Sequence, residues 1–314
     1  MEYRGKIIKG LGGLYEVRLP HGGQPRRLSC RARGALHRDE WRLEVGDEVR
    51  VTWHEGEEDA VIEEVLPRRN ALIRPPMANL DELVLTVAAA QPKPVLFTAD
   101  KLLAIAEHNG ISCSVVVTKT DLDAEAAEKI AAVYRTAGYP VFLIDNLTGE
   151  GTDAVAAALQ AQLRGGRTAA FAGASGVGKS SLLNRIFPQA ASATGAVSER
   201  IGRGRHTTRH VELFPYPDDR LDCGYLADTP GFGLLDFTRF DFFALSDLLP
   251  AFPDLCAHAT GCRYADCTHV CEEGCALLDA VARGEVAPSR HESYCRLRQE
   301  LSDKERRMPR RSRD

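Results

Sequence analysis

Thr168-Ala-Ala-Phe-Ala-Gly-Ala-Ser-Gly-Val-Gly-Lys-Ser-Ser-Leu-Leu-Asn-Arg-Ile-Phe187 is the stretch from which the rest of this chain can be read. The apolar run Thr168 to Gly173 reads as a buried strand, and SLLNRIF reads as the opening of a helix. Between them, Gly173, Ala174, Ser175, Gly176, Val177, Gly178, Lys179, Ser180 and Ser181 fit the pattern G-x-x-x-x-G-K-[ST]. Glycines let backbone N–H groups close around a phosphate with no Cβ in the way. Lys179 brings positive charge to the β- and γ-oxygens, and Ser180 offers a hydroxyl to Mg²⁺.

Two segments downstream fit the same chemistry. Asp228-Thr-Pro-Gly231 follows the strand-like Tyr225 to Ala227. There Asp228 can hold the Mg²⁺ shell, and the Gly231 N–H can meet a γ-phosphate. Between the two motifs lies Gly202-Arg-Gly-Arg-His206-Thr207-Thr208, basic and threonine-ended. Either Thr207 or Thr208 can complete the Mg²⁺ shell when a triphosphate is bound, which makes the loop a switch.

The base is read upstream. Thr118-Lys119-Thr120-Asp121 ends the strand-like run SVVV. A carboxylate at Asp121 accepts from both N1–H and the 2-amino group of guanine, whereas adenine offers a lone pair at N1 and no 2-amino group. Losing two charge-assisted hydrogen bonds of roughly 1.5–3 kcal/mol each discriminates strongly between the bases. Lys119 can lay its stem along the base. The usual first residue of this motif is Asn, and Thr118 is a shorter replacement. A further guanine contact is expected from the turn at Ile144-Asp145-Asn146. The base motif thus precedes the phosphate loop, so the nucleotide domain is circularly permuted. A parallel sheet tolerates such reconnection because its strands need not move.

Working outward, residues 1–67 read as five short strands punctuated by Gly12-Gly13, His21-Gly22-Gly23, Gly46-Asp47 and Glu55-Gly56. That spacing suggests a small closed barrel, with an OB-fold leading and an SH3-like barrel competing. From about residue 68, strands alternate with helices: a strand at Leu83 to Ala89, a helix at Lys101 to His108, a strand at Ser114 to Val117 and a helix at Ala124 to Thr136. This alternation predicts a mostly parallel sheet flanked by helices, an α/β domain over 68–235. Past Asp236 the strand signal gives way to helices around a cysteine-rich loop, a third region at 236–314.

With 44% hydrophobic and 27% charged residues, the composition is that of a folded globular protein. The longest apolar stretches fall well short of the roughly 18 residues a membrane span needs, and MEYRGKIIKG has no signal-peptide core, so a cytoplasmic protein without membrane contact is expected. The net charge of −4 argues against indiscriminate coating of nucleic acid. Yet Lys6, Lys9, Arg18, Arg26, Arg27, Arg31, Arg33 and Arg38 crowd the first forty residues, and the chain ends RRMPRRSRD. Such patches suit docking to a structured RNA, and equally a solvated surface. Nothing requires more than a monomer.

Nine cysteines, five of them between Cys256 and Cys275, fit a metal site better than disulfides. The arrangement Cys262-x4-Cys267-x-His269-x5-Cys275 offers three thiolates and an imidazole, the set a structural tetrahedral Zn²⁺ takes. Cys271 lies inside the same loop, so spacing alone does not choose four from five.

Taken together, the barrel, the TKTD, GASGVGKSS and DTPG motifs in permuted order, and the C-x4-C-x-H-x5-C ending resemble the RsgA family of small-subunit-dependent GTPases over nearly the whole chain. The segment Arg290-His-Glu-Ser-Tyr294 resembles that family's closing helix. The resemblance implies an N-terminal OB-fold, one structural Zn²⁺ with Cys275 rather than Cys271 as fourth ligand, and Mg²⁺ bound with GTP. It implies grip on the small ribosomal subunit and its rRNA in late maturation, with GTP hydrolysis to GDP stimulated by the subunit. Phe232 stands where Ras-like proteins carry the water-orienting Gln. The resemblance points to His206 for that task. Two other readings of these residues are a nucleotide-gated RNA-binding protein with incidental hydrolysis and a GTPase acting on another ribonucleoprotein.

Overall fold

The computed structural model describes residues 1–34, 42–188, 211–228 and 240–307. The chain forms two compact units that cut across sequence order, one of 1–84, 146–172 and 179–232, the other of 85–145, 173–178 and 233–314.

In the first unit, β1 (Glu2–Leu11), β2 (Leu14–His21), β3 (Gln24–Ala32), β4 (Glu48–Thr52) and β5 (Asp59–Val65) form a closed ring. β1 pairs antiparallel with both β2 and β4, β2 with β3, and β4 with β5, while β3 and β5 run parallel and close the barrel. This Greek-key ring is that of an OB-fold. Alternate residues face in, as period-two strands require: Ile7, Val17, Leu28, Cys30, Val49, Val51 and Ile62 are all buried. A short hairpin that the sequence reading did not anticipate, β6 (Ala71–Ile73) with β7 (Pro76–Ala78), follows the barrel. Gly46 (φ +95°) lies against it, and a Cβ there would stand 2.0 Å from the Ala78 carbonyl.

β1 runs on past the ring, where Lys9 pairs with Glu212 of β12 (Glu212–Tyr216). β12 is antiparallel to β13 (Gly224–Asp228), and β13 is parallel to β11 (Thr168–Ala172). Two barrel cations strap the ring to these strands. The Lys6 ammonium donates to the Gly166 carbonyl (2.5 Å) and the Thr168 hydroxyl (3.3 Å). Burial pulls its pKa down to about 8. Arg18 donates to Asp219, Tyr225 and the Arg220 carbonyl at 2.6–3.0 Å. Helices α3 (Thr152–Gln162) and α4 (Lys179–Ile186) complete the unit.

The second unit holds most of β8 (Glu82–Ala88), with β9 (Ser112–Thr118) parallel to β10 (Val141–Leu143). Every residue of β8 is buried, as in a sheet covered on both faces. α1 (Leu96–His108) begins five residues before the helix expected at Lys101; its N-cap, Val95, makes no side-chain cap hydrogen bond, so no capping signal marked the start. α2 (Ala124–Thr136) is capped by Asp123, which accepts from the Ala126 N–H at 2.9 Å. The remainder is helical, with α5 (Pro253–Cys256), α6 (Ala276–Ala282) and α7 (Pro288–Arg307) around the cysteine loop.

α7 is fastened to α1 by a buried ionic cluster. The Arg290 guanidinium, fully buried, donates to Asp254 through Nε (3.1 Å) and Nη2 (2.7 Å) and to Asp100 through Nη1 (2.9 Å). The guanidinium carbon lies over the Phe252 ring, 4.6 Å from its centroid. Burial pushes the Asp100 carboxyl upward while Arg290 opposes that shift. Lys101 adds a second pair, to Glu300 at 2.5 Å. Among the described residues, no helix is long and apolar enough to cross a membrane.

Candidate nucleotide site and metal centre

The loop 173–178 follows β11 and runs directly into α4. Its glycines adopt conformations that other residues resist: Gly173 (φ +142°), Gly176 (φ +76°) and Gly178 (φ +94°). At Gly173 the reason is also steric, because a Cβ would stand 2.2 Å from the Thr86 carbonyl on β8.

Thr118 and Lys119, at the end of β9, hold this loop from the other side. The Thr118 hydroxyl, fully buried, donates to the Val177 carbonyl at 2.6 Å. Lys119 takes a left-handed backbone (φ +57°), and its ammonium donates to the Gly176 carbonyl at 2.9 Å and to the Gln91 carbonyl. In a trans peptide the carbonyl and the following N–H point in opposite directions. Fixing the carbonyls of Gly176 and Val177 therefore turns the N–H groups of Val177 and Gly178 away from Thr118 and Lys119, as an anion cradle needs. The shorter Thr at the first motif position is thus a loop anchor. Thr120 stays at the strand end, its N–H 3.4 Å from the Ile144 carbonyl. Asp121 is exposed just beyond.

In the first unit, Lys179 opens α4, half-buried, and desolvation pulls its pKa down. Ser180 and Ser181 follow, exposed in the first turn, as are Ala174, Ser175 and Gly176 in the loop before it. β13 ends at Asp228 alongside β11, both strands running the same way into their motifs, the topology that gathers ligand-binding loops at carboxyl ends. His206, Thr207, Thr208 and Gly231 lie outside the described residues.

Sequence reading missed Arg185. From the last turn of α4 it donates to the carbonyls of Asn146 (3.2 Å), Leu147 (2.9 Å) and Thr148 (3.4 Å). Gly149 (φ +91°) makes room, since a Cβ there would stand 2.2 Å from the guanidinium. Arg185 thus ties the segment 146–148 to α4, the helix that begins at Lys179. An arginine in the last turn of a short helix carries no sequence signal for such a task.

In the cysteine loop, the ligand atoms of Cys262, Cys267, His269 and Cys275 lie within 4.8 Å of one another. His269 Nδ1 is 3.5 Å from the sulfurs of both Cys262 and Cys275, and those sulfurs are 4.0 Å apart. A tetrahedral ion with about 2.3 Å to sulfur and about 2.0–2.1 Å to nitrogen sets these separations near 3.6 and 3.8 Å. The donor set fits such an ion. Cys271 is exposed and outside the cluster. The Glu272 carboxylate shapes the turn, accepting from the N–H groups of Thr268 (2.8 Å), Val270 (2.9 Å) and Cys271 (3.1 Å) and from the Thr268 hydroxyl. These bonds, the Thr268 hydroxyl first, hold its pKa well below the usual carboxylate range. α7 backs the loop: His291 Nε2 reaches the His269 carbonyl at 2.7 Å, and the Tyr294 hydroxyl donates to the Thr268 carbonyl at 3.1 Å.

The family model for the RsgA GTPase matches residues 65–238, and that for the RsgA N-terminal domain matches residues 4–62. The small ribosomal subunit biogenesis GTPase RsgA of Geobacillus thermodenitrificans is 38% identical over 304 residues, covering 96% of this chain and 98% of that one. Its counterpart from Alkaliphilus metalliredigens is 36% identical over 296 residues, covering 94% and 96%. Among solved structures, YjeQ from Thermotoga maritima superposes with a TM-score of 0.79 at 31% identity, covering 96% of this chain and 99% of that one. YloQ, described as a circularly permuted GTPase, gives 0.77 at 33% identity, covering 99% and 97%. A barrel, a permuted phosphate loop and a Cys₃His loop in this order thus find full-length relatives, and the chain belongs to the RsgA family of GTPases.

Proposed function

We propose that this protein is a cytoplasmic, monomeric assembly factor that binds the small ribosomal subunit and its rRNA late in maturation and hydrolyses GTP when the subunit stimulates it. The observation that carries the reading is the pair of bonds from Thr118 and Lys119 to the loop carbonyls. They join a guanine-type motif to a phosphate loop that follows it in sequence, a permuted order in keeping with the similarity to YloQ, described as a circularly permuted GTPase.

The working parts are a barrel at 1–67 that grips RNA, a nucleotide domain at 68–235 and a metal-braced helical region at 236–314. In the nucleotide domain, Asp121 reads guanine with Lys119 against the base. Residues 173–181 cradle the phosphates with Lys179 on the β- and γ-oxygens. Mg²⁺ belongs with Ser180, Asp228 and either Thr207 or Thr208, and Gly231 faces the γ-phosphate; the ion neutralises charge developing on the phosphoryl oxygens. His206 positions the attacking water. One structural Zn²⁺ sits on Cys262, Cys267, His269 and Cys275, with no position left for a water nucleophile.

The test is GTP turnover with and without purified small subunits. Turnover is expected to rise on the order of tenfold or more, as trans-acting stimulation does in other GTPases, and to lose most of that rise in His206→Ala. Unchanged turnover overturns the assembly-switch reading in favour of nucleotide-gated RNA binding. Stimulation by large subunits alone redirects it to another particle.

A further inference from the structure

Four strands of the barrel send their inward-facing rows to the same open end. Successive inward positions are Tyr3, Gly5 and Ile7 on β1, Val17, Leu19 and His21 on β2, Arg26, Leu28 and Cys30 on β3, and Val49, Val51 and Trp53 running off β4. Inside the ring these rows are buried and carry no charge. At the mouth every one changes character, to Tyr3, His21, Arg26 and Trp53.

The four form one cluster around the indole. Trp53 is 1% exposed, and its indole N–H donates to the Glu57 carbonyl at 3.0 Å. The Arg26 guanidinium lies 4.4 Å from the Trp53 ring centroid. His21 meets the same indole edge-on at 5.3 Å, and Tyr3 stands 5.8 Å from His21 and 6.0 Å from Trp53. Register explains the convergence, because Leu19 opposes Arg26 and His21 opposes Gln24 in the β2–β3 hairpin.

Closing a barrel needs only apolar bulk, so the cation is the informative member. Arg4, Arg18, Arg27, Arg31 and Arg50 each have a carboxylate within 4.0 Å. Arg26 has none among the described residues, and it is exposed. Its guanidinium sits over the indole, and its exposed side is open to a ligand that is flat, electron-rich and anionic at its rim.

We propose that this mouth is a stacking platform for an unpaired nucleobase of single-stranded RNA, with the base on the outer face of Arg26, flanked by His21 and Tyr3, and the adjacent phosphate on the guanidinium edge. Guanidinium planes and aromatic rings are the groups on which unstacked bases rest. A duplex hides its base faces and has nothing to place there. The site rests on the reading that the barrel binds rRNA, and it narrows that reading to looped or flanking single strands.

The experiment uses the full chain and a fluorescein-labelled oligouridine of about 12 nucleotides, with a blunt RNA duplex of equal length as control. Arg26→Leu is expected to weaken single-strand binding about five- to tenfold and to leave duplex binding unchanged. Arg26→Lys separates plane from charge: it keeps the cation, loses the flat face, and is expected to show most of the same loss. His21→Ala should lose about threefold. Basal GTP turnover reports that each variant is folded and should not change. Full binding by Arg26→Lys, equal losses on duplex and single strand, or undiminished binding by Arg26→Leu each overturns the platform. No ribosomal subunit is present in this assay, so it decides the platform independently of whether subunits stimulate turnover.

Discussion

In the loop 173–178 the carbonyls of Gly176 and Val177 are held from outside, taken by an ammonium and a hydroxyl. In the loop 267–272 N–H groups are held instead, those of Thr268, Val270 and Cys271, taken by one carboxylate. The first arrangement directs N–H groups to the ligand side and prepares the loop for an anion. The second gathers N–H groups onto Glu272 and leaves thiolates and an imidazole to face a cation. Each loop is pre-organised by a charged side chain whose sign is opposite to its ligand's, Lys119 for an anion and Glu272 for a cation, and the ligand meets what remains. They differ in how much is left to the ligand. The phosphate loop stands between a strand and a helix with Gly173 pressed on β8, whereas the cysteine loop is mostly exposed, with little apolar burial of its own.

The largest effect therefore belongs to the cysteine loop. Cys275, 1% exposed and shared by two of the shortest donor contacts, is the sharpest probe. Cys275→Ser, or a strong chelator on the natural protein, should remove about one equivalent of metal per chain. Local stabilisation on the order of 10 kcal/mol is lost with it, because structural zinc and folding are one equilibrium in such segments. Metal analysis and hydrogen exchange check this, with protection lost across 262–275. α7 should keep its protection around Arg290, which the ionic cluster with Asp100 and Asp254 holds independently. Full metal content in Cys275→Ser would shift the fourth ligand to another group. If α7 melts together with the loop, the two are not separately fastened.

The phosphate loop should respond less and through its ligand. Gly173→Ala places a methyl 2.2 Å from a backbone carbonyl at a φ that alanine resists. Strand β8 is buried on all sides and cannot retreat, so the loop must move. Affinity for a fluorescent GDP analogue is expected to fall on the order of a hundredfold, with the thermal midpoint lowered only a few degrees. An unfolded variant would mean that the loop is structural in the way the cysteine loop is, and the contrast between them would disappear.

How much of this was legible in the sequence follows from the same distinction. Residue types that a ligand's chemistry demands at fixed spacing are visible: the glycines and Lys179, Asp121 after a strand, the thiolates and His269. Residues that hold those groups in place were not. Thr118 read only as a shorter replacement for Asn, yet its hydroxyl anchors Val177, a partner far away in sequence. Arg185 and Arg290 belong to a residue type that is usually exposed, so neither a carbonyl cage nor a fully buried ionic cluster could be read from them. Spacing left Cys271 and Cys275 as rivals. The choice between them turns on Glu272, which binds the Cys271 N–H in a turn that leaves that side chain exposed. The OB ring was chosen over its rival by the parallel β3–β5 pairing, a long-range contact that turn signals do not encode.

The smallest effect tests the anchoring itself. Thr118→Val keeps shape and volume, removes one hydroxyl and leaves the Val177 carbonyl without the donor that fixes it. A neutral hydrogen bond contributes about 1 kcal/mol, and an orphaned buried acceptor about 1–3 kcal/mol, so nucleotide binding should weaken about five- to thirtyfold with GTP and GDP affected alike. Thr118→Ser retains the donor and should stay within about twofold of the natural protein. The preference for GTP over ATP should survive both changes, because the proposed site assigns the base to Asp121 and not to Thr118. Were Thr118→Val to bind nucleotide normally, the carbonyl restraint would be incidental and the N–H orientation would arise from the glycines alone. Were it to lose guanine preference instead, Thr118 would be acting on the base rather than on the loop.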